Sequence, residues 1–261
     1  MVIDSHFHVW PDAIAAQALG RAHDEGGIET AGTGTAASAI ATMEKAGIDR
    51  AVCLCVGNTP DRVEAANRFA GSLDPDHFIG FGSVHPDLPV EENIAGLRQY
   101  GLKGVKLHPL FQDYSLDDPR LWEILEALAG EFVAVAHIGE GGSRAEKCTP
   151  QMARKIVENF PSLDFVACHF GGFRLLDQAE EEIIGHPVYV DTAWPPSLTE
   201  VPAKRLAEMI RRHGAERVIF SSDWPMAHPD REIEYVRELG LDDAETEAIL
   251  GGNMARLVGL A

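Results

Sequence analysis

Basic residues are scarce in this chain. Lys and Arg number 22 against 41 Asp and Glu, a formal net charge of -19. A surface of that sign repels phosphate backbones and anionic lipid, so neither nucleic acid nor a membrane is expected as a partner. Cysteine is also sparse: Cys53, Cys55, Cys148 and Cys168, with no C-x-x-C pair. These read as reduced, mostly buried thiols of a cytoplasmic protein. No basic segment followed by an apolar stretch stands at the N-terminus, so no signal peptide is expected. No uninterrupted apolar run is long enough to span a bilayer. The first apolar run is not followed by G-x-G-x-x-G, and there is no internal repeat or low-complexity linker. Hydrophobic residues, in contrast, make up 45% of the 261 positions, enough for a sizeable core and inconsistent with disorder.

Those residues are arranged in a pattern. Apolar runs rich in Val, Ile and Phe alternate with helix-period segments: "VIDSHFHV", "RAVCLCV", "FIGFGSV", "KGVKLHP", "FVAVAHIG", "DFVACHF", "VYVDTAW" and "RVIFSSD". Between them lie amphipathic stretches such as "DRVEAANRFAGSL" and "PRLWEILEALAG", with Asp61 and Pro119 as start signals and Gly101 and Gly130 as stops. Parallel strands need crossovers, and eight such units close most economically into a (β/α)₈ TIM barrel. We expect one α/β domain over residues 1–261, with a helical tail broken at Gly251 and Gly252. A doubly wound open sheet is the rival, and the missing glycine-rich phosphate turn counts against it. Residues 20–35, rich in Gly and Thr, read as a long first loop, a lid over the site.

In a barrel the C-terminal strand ends face one another across the active-site mouth. The first run ends in His6 and His8, at alternate positions and so on one strand face. The fourth ends in Lys106 and His108, the fifth in His137, the sixth in His169 and the eighth in Asp223. Each is a metal-ligand or acid–base residue type. Together they form the strongest signal in the chain.

The ordered set "DSHFH", "GVKLHP", "VAHIG", "ACHFGG", "SSDWP" and the tail "ILGGNMARLVGL" resembles the amidohydrolase superfamily, in its amidohydrolase-2 branch of metal-dependent hydrolases and decarboxylases. The resemblance implies a divalent metal on His6, His8, His137 and Asp223, with His169 close by and acting on substrate or on the attacking water. Three imidazoles and a carboxylate suit zinc, with manganese as the alternative. Asp223 is then both ligand and base, and His169 the second catalytic group. In binuclear members a lysine at the end of the fourth strand is carboxylated and bridges two ions. In this branch "GVKLHP" is commonly present with one ion, so one ion is expected, and Lys106 is read as a substrate-binding cation.

His108, Trp194 and Trp224 are further substrate-binding candidates, and Phe111 lies similarly just past a strand end. Arg144 and Arg174 could clamp a carboxylate, but pairing with the many acids is the simpler expectation, and Glu140 reads as a loop acid. The expected activity is hydrolysis of a lactone, ester or amide of a small carboxylated or cyclic substrate. The alternative is non-oxidative decarboxylation of a small hydroxylated or unsaturated acid. Decarboxylases of the branch are generally longer, which tilts the expectation toward hydrolysis. The partner is a small molecule, and self-association is left open.

Overall fold

Eight short strands carry the fold: β1 (Ile3–Phe7), β2 (Arg50–Leu54), β3 (Phe78–Ser83), β4 (Gly104–Leu107), β5 (Val133–Ala136), β6 (Phe165–Ala167), β7 (Tyr189–Asp191) and β8 (Val218–Ile219). They lie in one sheet in sequence order, with helices between successive strands, as a (β/α)₈ barrel requires. The structure is a computed structural model and describes residues 1–26 and 29–260. Among these, no helix is long and apolar enough to cross a membrane. Contacts divide the chain into two units. One comprises Met1–Cys53, Leu73–Ile79 and Thr192–Ala261, the other Leu54–Ser72 and Gly80–Asp191.

In the first unit β1 pairs in parallel with β2, Ile3 opposite Arg50 and Phe7 opposite Cys53, with a register shift between Asp4 and Phe7. The ring of strands closes here. Ser5 N–H donates to the Phe220 carbonyl at 2.9 Å, and Phe7 bridges Trp224 in parallel. Ile3, Phe7, Phe220 and Trp224 are buried, and the Phe7 and Trp224 rings stack at 4.9 Å.

Two expectations fail in this unit. Residues 20–26 are helical, the last turns of helix Asp12–Gly26, because the alanine-rich run after Pro11 outweighs one or two glycines. Residues 27 and 28 of the expected lid lie outside the described residues. Beyond them the chain is fastened: Ala31 N–H donates to Pro225 at 2.7 Å and Trp10 N–H to Gly34 at 2.9 Å. The tail is not broken at its glycines either. Helix Asp243–Glu247, opened by an Asp242/Glu245 capping box, runs through a π-turn at Ala248–Gly252 into helix Asn253–Leu257. Gly251 is there for space, since a Cβ would sit 2.4 Å from the Met1 carbonyl. Asn253 Nδ2 fastens the tail to the Ala215 and Val218 carbonyls, both at 2.7 Å.

Helix Pro229–Arg237 buries one acid, Glu232, whose carboxylate accepts from Leu198 N–H (2.8 Å) and Ser197 Oγ (3.1 Å). Burial pushes its pKa up to about 6 from an ordinary 4.5, against the lowering effect of those bonds. Between these values the folded chain holds more protons than the unfolded one, so this group's contribution to stability falls as pH rises from 4.5 to 6. Ionised Glu232 therefore costs about 2 kcal/mol at neutral pH. Glu232→Gln is expected to flatten this part of the stability–pH curve, as read from urea unfolding at several pH values. An unchanged slope would assign it to another group.

The second unit holds β4, β5, β6 and β7 in unbroken parallel register, Lys106 opposite Val135 and Ala136 opposite Ala167. Gly104 permits the β4–β5 approach, because a Cβ would lie 2.3 Å from the Val133 carbonyl and 2.4 Å from the Phe81 ring. Helix Pro119–Leu128 is capped by Asp118 and buries Leu121, Ile124, Leu125 and Leu128, the spacing of a single apolar stripe. As expected, Gly101 and Gly130 follow helices at φ +63° and +77°.

Candidate metal centre

In the first unit the chemistry-bearing residues stand at and beyond the ends of β1 and β8. His6 is the penultimate residue of β1 and His8 follows its last. Asp223 is four residues past β8, in a turn where its φ is +66°. Left-handed backbone is costly for most residues but tolerated by Asp, and it turns the carboxylate toward the histidines. Asp223 Oδ1 lies 3.5 Å from His6 Nε2 and 3.3 Å from His8 Nε2. One ligand atom from each of the three residues falls within 4.8 Å of the other two. Two imidazoles and a carboxylate on one point are a donor set that could hold a divalent metal ion.

The support around them was only partly legible. Trp10 shares the parity of His6 and His8, and its ring stacks on His8 at 5.9 Å. Gly34 packs against that ring: it has φ +70°, and a Cβ there would come within 2.8 Å of it. Trp224 is fully buried against Phe7, and a Cβ on Gly32 would sit 2.4 Å from its indole. Trp194 is buried too, with 8% of its surface exposed.

The second unit gathers Lys106, His108, His137 and His169 around the ends of β4, β5 and β6. Nε2 of His137 lies 3.0 Å from the Gly139 carbonyl. A carbonyl only accepts, so Nε2 carries the proton and Nδ1 the lone pair. Nδ1 in turn lies 3.0 Å from His169 Nε2, which must then donate. Gly139 makes the bend at φ +86°, where a Cβ would meet Phe173 backbone at 2.4 Å. Its N–H donates to Cys148 at 2.7 Å. Anchoring one nitrogen in this way fixes the tautomer and ring orientation, as the outer contacts of metal-binding histidines do.

His169 is itself fixed by its own N–H, 2.6 Å from Asp191 Oδ1, at φ +61°. Lys106 is fully buried and donates to Cys168 Sγ at 3.3 Å. Burial, with the Asp191 charge adding to it, drives the Cys168 thiol well above its ordinary pKa, so it stays protonated beside the lysine. None of the four cysteines forms a disulfide, and all are buried. His108 stacks between His137 (4.5 Å) and the half-exposed Phe111 (3.9 Å). Arg174 pairs with Glu140 at 3.5 Å over the Phe173 ring.

One determinant of this cluster gave no signal in the sequence. The side chain of Gln112 is buried and donates to Gly57 O (3.1 Å), Ser83 Oγ (3.1 Å) and Val84 O (2.8 Å). Its Oε1 accepts from His108 N–H (2.9 Å) and Tyr114 OH (3.0 Å). It thereby sets the backbone from which His108 projects.

A family model described as amidohydrolase matches residues 3–260. No curated protein matches the sequence. Among solved structures the chain is similar to an uncharacterized TIM-barrel protein, Bb4693, from Bordetella bronchiseptica, with a TM-score of 0.80 and 19% identity over 99% of this chain and 98% of that one. It is similar to a dihydroxybenzoic acid decarboxylase from Polaromonas sp. JS666 with bound manganese and 2-nitroresorcinol, at a TM-score of 0.74 and 15% identity over 99% and 97%. A candidate 2-pyrone-4,6-dicarboxylic acid hydrolase from Pseudomonas putida gives a TM-score of 0.68 and 20% identity, again over 99% and 97%.

Proposed function

The chain belongs to the amidohydrolase family, and from that premise we propose that it is a metal-dependent hydrolase of a small lactone, ester or amide. The observation that carries this reading is the meeting of His6, His8 and Asp223 at one point. Their Nε2 and carboxylate atoms would hold one divalent ion, zinc or manganese. The family resemblance supplies His137 as the fourth donor: its Nε2 is anchored on the Gly139 carbonyl, and Nδ1, which here accepts from His169 Nε2, carries the lone pair that an ion would take. When bound, such an ion is a Lewis acid that polarises a carbonyl and acidifies water.

The protein's own groups then divide the work. Asp223, whose carboxylate would help hold the ion, also takes a proton from the attacking water. His169, donating through Nε2, stabilises the oxyanion and delivers a proton to the leaving group. Lys106, uncarboxylated, sets a positive charge against a substrate carboxylate, and His108 orients the substrate beside it. In an anionic protein such local cations are what would admit an anionic substrate.

Decarboxylation of a hydroxylated acid is the second reading, favoured by the likeness to the dihydroxybenzoic acid decarboxylase. The test is a panel of lactones, esters and amides beside hydroxylated aromatic acids, following acid release and CO₂ in parallel. Hydrolysis without CO₂ is expected. CO₂ release from an acid, with no ester or lactone turned over, would assign the enzyme to the lyases.

A further inference from the structure

Asp4 is fully buried at the second position of β1, two residues before the first metal donor. Its Oδ1 accepts from His6 N–H at 3.2 Å and from Ser222 N–H at 3.0 Å. One oxygen therefore holds the backbone of a donor on β1 and the backbone next to a donor beyond β8. Ser222, also buried, continues the connection: its Oγ accepts from Trp224 N–H at 3.1 Å. Trp224 then returns to β1 through its carbonyl, which accepts from His8 N–H at 2.7 Å. The path runs from His6 through Asp4, Ser222 and Trp224 to His8, and it encloses Asp223. Each donor has its own peptide group, or that of an adjacent residue, in this path.

We propose that Asp4 and Ser222 are positioning residues, a clasp that sets the spacing of His6, His8 and Asp223 for a divalent ion. The proposal rests on the reading of these three residues as donors. Neither clasp residue is asked to touch the ion. Asp4 is needed because one atom must accept two N–H groups from different segments, which a carboxylate or amide oxygen with its two lone pairs does. Ser222 is needed because the left-handed turn at Asp223 leaves the following N–H to be met from within the turn. Groups that orient metal ligands typically contribute about 10–100-fold to metal affinity.

The test is Zn²⁺ affinity of the full chain, stripped of metal, by competition with a chromogenic chelator, alongside the thermal midpoint of the stripped protein. Asp4→Ala is expected to weaken Zn²⁺ binding by about 10–100-fold. Asp4→Asn keeps the accepting oxygen and is expected to stay within about fivefold of the wild type, because the clasp needs an acceptor more than a charge. Ser222→Ala, a smaller perturbation that serves if Asp4→Ala does not fold, is expected to weaken binding by about tenfold. Wild-type affinity in Ser222→Ala together with Asp4→Ala, or in Ser222→Ala alone where Asp4→Ala does not fold, overturns the proposal. So does an Asp4→Asn variant as weak as Asp4→Ala, which would make the role one of charge. A wild type that takes up no Zn²⁺ fails at an earlier point, the donor reading itself, and is seen before any variant is made.

Discussion

Replacing His169 by Asn is expected to leave the ion in place and to lower kcat by about 10²–10⁴-fold, the usual contribution of an acid–base group. The substitution suits the backbone, since Asn is among the few residues at ease near φ +61°, so the turn after β6 should persist. It keeps the N–H that Asp191 accepts. It removes the imidazole whose Nε2 lies 3.0 Å from His137 Nδ1. His137→Asn, by contrast, takes away the atom assigned to the ion and should lower metal content. Comparing kcat and metal content for the two variants separates the roles. If both lose the ion equally, His169 is a ligand, and a second ion bridged through Lys106 becomes the better account.

The second large effect concerns stability. Gln112→Leu keeps the approximate size of the side chain and removes every polar atom from it. His108 N–H and the Tyr114 hydroxyl then lose an acceptor, and the Gly57 and Val84 carbonyls lose a donor. All are in buried surroundings, where an unmet polar group costs about 1–3 kcal/mol. The sum should exceed about 4 kcal/mol, in the range that marks a broken buried network. Gln112→Glu offers little relief, because a carboxylate would face two carbonyls. Urea unfolding of the metal-stripped variant checks this, and a loss below about 1 kcal/mol would mean that water or a shift of the loop satisfies these groups.

Much of the barrel could be read from the sequence because its signals are local. Alternating apolar runs, Pro119 at a helix start, and Gly101 and Gly130 after helices each act within a few residues. His6, His8 and Asp223 were legible for a different reason: they are metal-binding residue types at strand ends, which a barrel brings together. The supporting residues were not legible. Asp4 and Ser222 are separated by 218 positions, and Gln112 reaches back 55 residues to Gly57. No periodicity connects such pairs. Residues 20–26 depart from the expected loop because the helix propensity of "AIAAQAL" outweighs the cost of glycine, and the tail departs from the expected break because a π-turn accommodates two glycines without ending the helix.

The central claim, a divalent ion held by the ends of β1 and β8, is tested most directly by elemental analysis of the protein purified without chelator, beside a His6→Ala/His8→Ala variant. The account predicts about one equivalent of zinc or manganese per chain in the wild type and a small fraction of that in the variant. Equal metal content in the two would contradict it.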